Sequence, residues 1–262
     1  MPANRTCPST RTPLQLFAIT VSAVSVLAGC APATTSGAAA PATASPVVAG
    51  RPVPVQADAT LSRSAREMSL PGVGAAMLAD IPDTTRQVLL ATGDGRNANT
   101  STVALYERSA DGWEQKAGPW AAHNALRGWT DDHRLDDLRS PIGVFGLTDA
   151  GGLLAHPGTR LPYDRSRAFS ISGTGFTGEP LAGSFDYVIA VNYNRKSGMT
   201  PLDWSRPLGA TKGGGIWVHV DHGGPTHGCV SIAKEHMKEL LLALDPDLHP
   251  VIVMGDAASL AR

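Results

Sequence analysis

Only one stretch of this 262-residue chain carries a sustained helical hydrophobic period. Met237, Leu240, Leu241 and Leu244 recur at three- and four-residue spacing, with Lys234, Glu235, Lys238 and Glu239 beside them. Ser231 is the predicted N-cap of that helix. Asp245-Pro246 is its predicted stop, because the residue before a proline disfavours helical backbone. Residues 60–68 can form at most one further short helix. Elsewhere the apolar signal is brief or alternating, and residues 87–92, 102–107, 142–147, 185–193, 216–220 and 251–254 read as strands. In 185–193 the alternation of Phe185, Tyr187, Ile189, Val191 and Tyr193 predicts a half-buried strand. With 28 glycines and 20 prolines the chain is cut into short pieces, and Asp149-Ala-Gly-Gly and His156-Pro-Gly read as turns. This suits many short strands joined by turns better than a helix bundle. The expected fold is mainly β, with one amphipathic helix near its C-terminal side.

The first 60 residues cannot contribute to that fold. Arg5 and Arg11 precede an apolar run over 14–27, too short for a comfortable permanent span and followed by small residues. This is the anatomy of an export signal. It ends in Leu27-Ala28-Gly29-Cys30, which resembles the lipobox of bacterial lipoproteins, whose cysteine is lipidated and becomes the new N-terminus. Residues 31–51 are Ala, Pro, Thr, Ser and Gly almost without charge, a composition that cannot pack a core. The expected organisation is a signal peptide over 1–29, a lipid-anchored tether over 30–60 and one domain over 61–262. Such a tether would reach on the order of 30 Å from the membrane. The net charge of -1, with no basic stripe, gives no support for a nucleic-acid partner.

Three cysteines are present: Cys7, Cys30 and Cys229. With the first removed and the second lipidated, Cys229 is the single thiol left in the domain, a candidate reactive group. It follows an apolar segment ending in His219 and a glycine-rich loop, and it precedes the predicted helix. An imidazole can take the thiol proton, and unpaired N–H groups near a helix start favour the thiolate. The same loop can aim backbone N–H groups at an oxyanion, and Gly228 has no side chain to obstruct a substrate. His219, His222, His227 and Cys229 also have the chemistry of zinc ligands. They are crowded into one loop rather than split between two pairs, so no metal and no cofactor is expected. Asp221 and His222 read as solvated loop residues. His123, His133, His156, His236 and His249 carry no predicted role. Core positions are expected for most of Trp113, Trp120, Trp129 and Trp204.

Thr226-His227-Gly228-Cys229 resembles the Ser/Thr-His-Gly-Cys signature of the L,D-transpeptidases of the YkuD type. Arg139-Ser140-Pro141-Ile142-Gly143-Val144-Phe145 resembles that family's Thr-Pro-x-Gly-x-Phe segment, and a helix followed by Pro250-Val251-Ile252-Val253-Met254 fits its end. The resemblance spans roughly residues 85–256, an ordinary domain size. It implies a YkuD-like β-sandwich in which Cys229 is the nucleophile and His219 the general base. The backbone carbonyl of Val220 would be the third member, with His227 and Gly228 at the oxyanion and Thr226 and Ser231 bordering the substrate. The implied donor is a peptidoglycan stem tetrapeptide, which loses its terminal D-alanine to form a thioester. An amine from a second stem then resolves that thioester. Two departures are local: the loop after His219 is shorter than in well-known members, and Ser231 stands where many carry asparagine. Two other expectations are compatible with the residues, a carboxypeptidase in which water resolves the thioester and a non-catalytic cell-wall-binding lipoprotein.

Overall fold

The computed structural model describes residues 69–262. The leader, the tether, Cys30 and the helix predicted over 60–68 lie outside the described residues. In chain order the elements are α1 (Ala75–Ala79), β1 (Gln87–Gly93), β2 (Thr100–Ser109), β3 (Gly112–His123), β4 (Trp129–Thr130), β5 (Ser140–Pro141), β6 (Gly143–Gly152), β7 (Tyr163–Arg165), β8 (Val188–Val191), β9 (Trp217–Val220), β10 (Val230–Ile232), α2 (Lys234–Ala243), β11 (Val251–Asp256) and α3 (Ala257–Leu260). The expected mainly β class holds. Nine strands join in the order β11-β1-β2-β3-β10-β9-β8-β6-β7, and an additional β6–β11 pairing closes the sheet on itself.

Alternation along the strands sorts side chains to two cores. Leu89, Ala91, Ile252 and Met254 point to a large inner cluster that also receives Met237, Leu240 and Leu241 of α2. Val88, Leu90, Val251 and Val253, their neighbours in sequence, point to a second cluster covered by Leu70, Val73, Met77 and Leu260. β1 and β11 therefore read as continuous apolar runs because both faces are covered. Their parallel register pairs Val88 with Val251 and Leu90 with Val253.

Several local expectations are corrected. β8 is only four residues long and buried throughout, since β6 and β9 flank it and both faces are packed; it is not half-buried over 185–193. β3 has no counterpart among the predicted strands, because Gly118-Pro119 interrupts its pattern. The interruption falls at a register shift opposite Ala104, a place in a ladder where proline is tolerated. Asp149-Ala-Gly-Gly is not a turn but the end of β6. Its glycines are there for close packing: a Cβ on Gly151 would stand 2.6 Å from the Asp164 carbonyl, and one on Gly152 would stand 2.2 Å from that of Asp186. Asp149 is buried and paired with the equally buried Arg195 at 2.9 Å. Helix α2 begins at Lys234 with Ala233 as N-cap; Ser231 instead belongs to β10.

Candidate active site

β9 and β10 run parallel, with Val218 opposite Val230 and His219 opposite Ser231. Cys229 immediately precedes β10, so it falls beside Trp217 and shares a sheet face with His219. The Trp217 N–H donates to Cys229 Sγ at 3.4 Å, and the thiol approaches the Gly215 carbonyl at 3.7 Å. Thr226 closes the turn before the cysteine: its hydroxyl donates to the Cys229 carbonyl at 2.7 Å, and its backbone bridges Ala125. The backbone N–H groups of His227, Gly228 and Cys229 take no backbone acceptor among the described residues.

His219 is buried, and its Nδ1 lies 2.9 Å from the Val220 carbonyl oxygen. A carbonyl only accepts, so Nδ1 carries the proton and Nε2 is left as a base. Burial pushes the His219 pKa down to about 4, against the pull of the Val220 carbonyl. Burial likewise pushes the Cys229 thiol up to about 11, opposed by the Trp217 N–H. At neutral pH the resting groups are a neutral thiol and a neutral imidazole. The expected stabilisation of a thiolate by the helix start is absent for a structural reason, since β10 separates Cys229 from α2.

Around this pair a cavity of about 440 Å³ opens. Cys229, His219, Thr226 and His227 line it, as do Leu181, Phe185, Trp217 and a wall formed by Pro201, Leu202, Trp204 and Arg206. Phe185 sits edge-on to both Trp217 and His219, with ring centroids 5.0 and 5.3 Å apart. The His227 ring packs against Phe176 at 4.6 Å. Phe176 stands near the tip of a tight hairpin in which Thr174 bridges Pro180.

Two expected substrate contacts differ in the structure. Ser231 is fully buried, and its hydroxyl donates to Asp221 Oδ1 at 2.7 Å, so it braces the end of β9 rather than bordering a ligand. Gly228 is buried too. The space its missing Cβ leaves is taken by Ile216, whose Cδ1 would stand 2.9 Å from an added Cβ, so the absence of a side chain there also serves packing. Thr226 lines the cavity as expected but is buried, with its hydroxyl committed to the turn.

Asp221 is only partly exposed and its carboxylate is committed to neighbours, while the His222 side chain is buried. Asp221 accepts from Ser231 and pairs with His123 Nδ1 at 2.9 Å. The His222 side chain is 6% exposed, stacks on His219 with centroids 5.9 Å apart, and brings Nδ1 to 3.2 Å from Glu179 Oε1. The Glu179 carboxyl is held down at about 2, chiefly by the Thr177 hydroxyl. Glu179 and Arg206 escaped the sequence reading. Glycines at 173, 175, 178 and 183 mark the Glu179 hairpin as tightly turned, but no signal marks Arg206. Among the tryptophans, Trp120 and Trp129 are core residues while Trp204 is 81% exposed.

Among the described residues no three His, Cys, Asp or Glu side chains gather in a metal-binding arrangement. His219 faces the Val220 carbonyl, His222 faces Glu179 and His227 packs at a tilt against Phe176. Comparisons with family models, curated proteins and solved structures found no match.

Proposed function

We propose that this chain is a cysteine acyltransferase of the L,D-transpeptidase (YkuD-type) class that forms a thioester with peptidoglycan stem peptides. In this reading the closed sheet is a variant of the YkuD β-sandwich. One observation carries the proposal: His219 and Cys229 share a face of adjoining strands, and the Val220 carbonyl fixes the His219 tautomer with Nε2 free. The motif resemblance assigns that carbonyl the same part.

The residues divide the chemistry as follows. The thiol rests toward Gly215, so it turns toward His219 before reacting. His219 Nε2 takes the proton as Cys229 Sγ attacks the donor carbonyl. With both groups neutral at rest, proton transfer accompanies attack rather than preceding it. The oxyanion faces the unclaimed N–H groups of the 227–229 turn, a stabilisation worth a hundredfold or more in comparable sites. The imidazolium returns its proton to the departing amine, and the thioester passes to an amine acceptor. Export and a lipid at Cys30 would anchor the domain to the cell membrane, facing the extracytoplasmic space. No helix of the described residues is long and apolar enough to cross a membrane, so attachment in this reading rests on Cys30.

The test is intact-mass measurement after incubation with a stem tetrapeptide. The expected result is an adduct that Cys229→Ala abolishes and His219→Ala slows by about a hundredfold or more, the scale for losing a positioned base. An adduct on folded Cys229→Ala protein would overturn the assignment. Product analysis with and without an added amine separates transfer from hydrolysis.

A further inference from the structure

The cavity around Cys229 contains one side chain of permanent positive charge, and the acyl transfer proposed above gives it no part. Arg206 is the only lysine or arginine of the lining. Its Nη1 donates to the carbonyl oxygens of Asp203 at 3.3 Å and Ser205 at 2.8 Å, which pins the head of the side chain. Its guanidinium carbon stands 5.0 Å over the Trp204 ring. No hydrogen bond engages Nε or Nη2, and no carboxylate among the described residues pairs with this arginine. Asp203, the one acid of the lining, turns its carboxylate to the Ser205 N–H at 3.0 Å.

The position of the guanidinium is built into the backbone. It lies across Gly214 and Gly215, the residues leading to β9. A Cβ on Gly214 would come within 2.3 Å of Arg206 Nε, and one on Gly215 would stand 3.7 Å from Nη2. Gly215 is also the residue whose carbonyl faces the Cys229 thiol. The nucleophile and the free edge of the guanidinium therefore flank the same glycine. A guanidinium edge with two unclaimed donors matches a carboxylate in charge and in shape. The Trp204 ring under the guanidinium carbon adds a cation–π contact.

Resting on the acyl-transfer reading, we infer that Arg206 is the specificity-determining residue that receives the terminal carboxylate of the acyl donor. It selects donors in which the residue after the attacked carbonyl ends the chain as a free acid. Once the C–N bond breaks, the departing residue carries the carboxylate away and frees the arginine.

The experiment uses the full chain and two stem tetrapeptides that differ only at the C-terminus, one a free acid and one a primary amide. Acylation rates are read by intact mass. The expected acid-to-amide ratio is about tenfold or more, the scale of a charge-assisted bidentate contact. Arg206→Gln should bring the ratio close to one. Arg206→Lys, which keeps charge without the fork, should retain part of it. Equal acylation of the unaltered protein by both peptides overturns the role of Arg206 while leaving the thioester chemistry standing. A ratio that persists in Arg206→Gln does the same. Acylation by neither peptide overturns both readings.

Discussion

Burial sets the chemistry at the residue scale. In the proposed mechanism His219 must be neutral to accept a proton, and burial holds its pKa at about 4 instead of 6.5. The acylation rate should therefore stay flat from neutral pH down to about 5 and fall only toward 4; a half-maximum near 6.5 would contradict the buried base. The same shift has a stability counterpart. Between 6.5 and about 4 the unfolded chain protonates residue 219 while the folded chain does not, so acidification through that window favours unfolding. At about 1.4 kcal/mol per pH unit the loss reaches up to about 3 kcal/mol. Denaturation at pH 7 and pH 4.5 should show a smaller acid loss for His219→Gln than for the unaltered protein, and equal losses would count against the shift. That Cys229 would come beside the strand of His219 was legible in the sequence, and the motif resemblance pointed to the Val220 carbonyl that His219 faces. Ser231, Gly228 and His222 were not legible in this way. Their parts are decided by Asp221, Ile216 and Glu179, and in the last two cases sequence spacing does not predict the contact.

At the element scale β6 shows why composition misleads. Its Asp-Ala-Gly-Gly end has turn chemistry, yet the crossing chain at Asp164 and Asp186 leaves room only for glycine there. Asp149 is in turn claimed by Arg195, with the two side chains 4% and 3% exposed. Asp149 also accepts the Gly198 N–H at 3.0 Å, and Arg195 donates to the Met199 carbonyl. The pair thus anchors the loop over 192–200, which leads directly into the Pro201–Arg206 wall of the cavity. Asp149→Ala strands a buried guanidinium and should cost about 3–5 kcal/mol in chemical denaturation. Adding Arg195→Met should recover part of that loss, because the uncompensated charge goes with it. A cost below about 1 kcal/mol for Asp149→Ala would show that the pair does not hold the loop. Helix α2 and strands β1, β2, β9 and β11 were legible because their hydrophobic periods are unbroken. β3 was hidden because its ladder tolerates a Gly-Pro step that the isolated sequence presents as a breaker.

For the molecule as a whole, the closed sheet separates the core that adjoins the cavity from the core that does not. The inner core is shared by α2 and the strands that carry Cys229 and His219, since Val218, Val230 and Ile232 pack there with Leu240. The second core lies on the opposite face of β1 and β11, where Leu260 of α3 and Met77 of α1 cover Val88, Leu90 and Val253. The two ends of the described chain meet at this cover: the Gly74 N–H donates to the Leu260 carbonyl at 2.8 Å, and the Ala76 N–H to that of Arg262 at 3.1 Å. Leu260→Ala removes a fully buried side chain and should cost about 2–5 kcal/mol. Because the second core contributes no residue to the cavity, the acylation rate of the folded fraction should stay within about twofold of the unaltered protein. Leu240→Ala should cost a similar amount of stability but also slow acylation, since the cavity it leaves adjoins the strands that set the spacing of Cys229 and His219. Denaturation midpoints paired with acylation rates at full folding test the difference. Equal effects of the two variants on rate would mean that the closed sheet transmits strain between its faces and that the division into two independent cores is wrong.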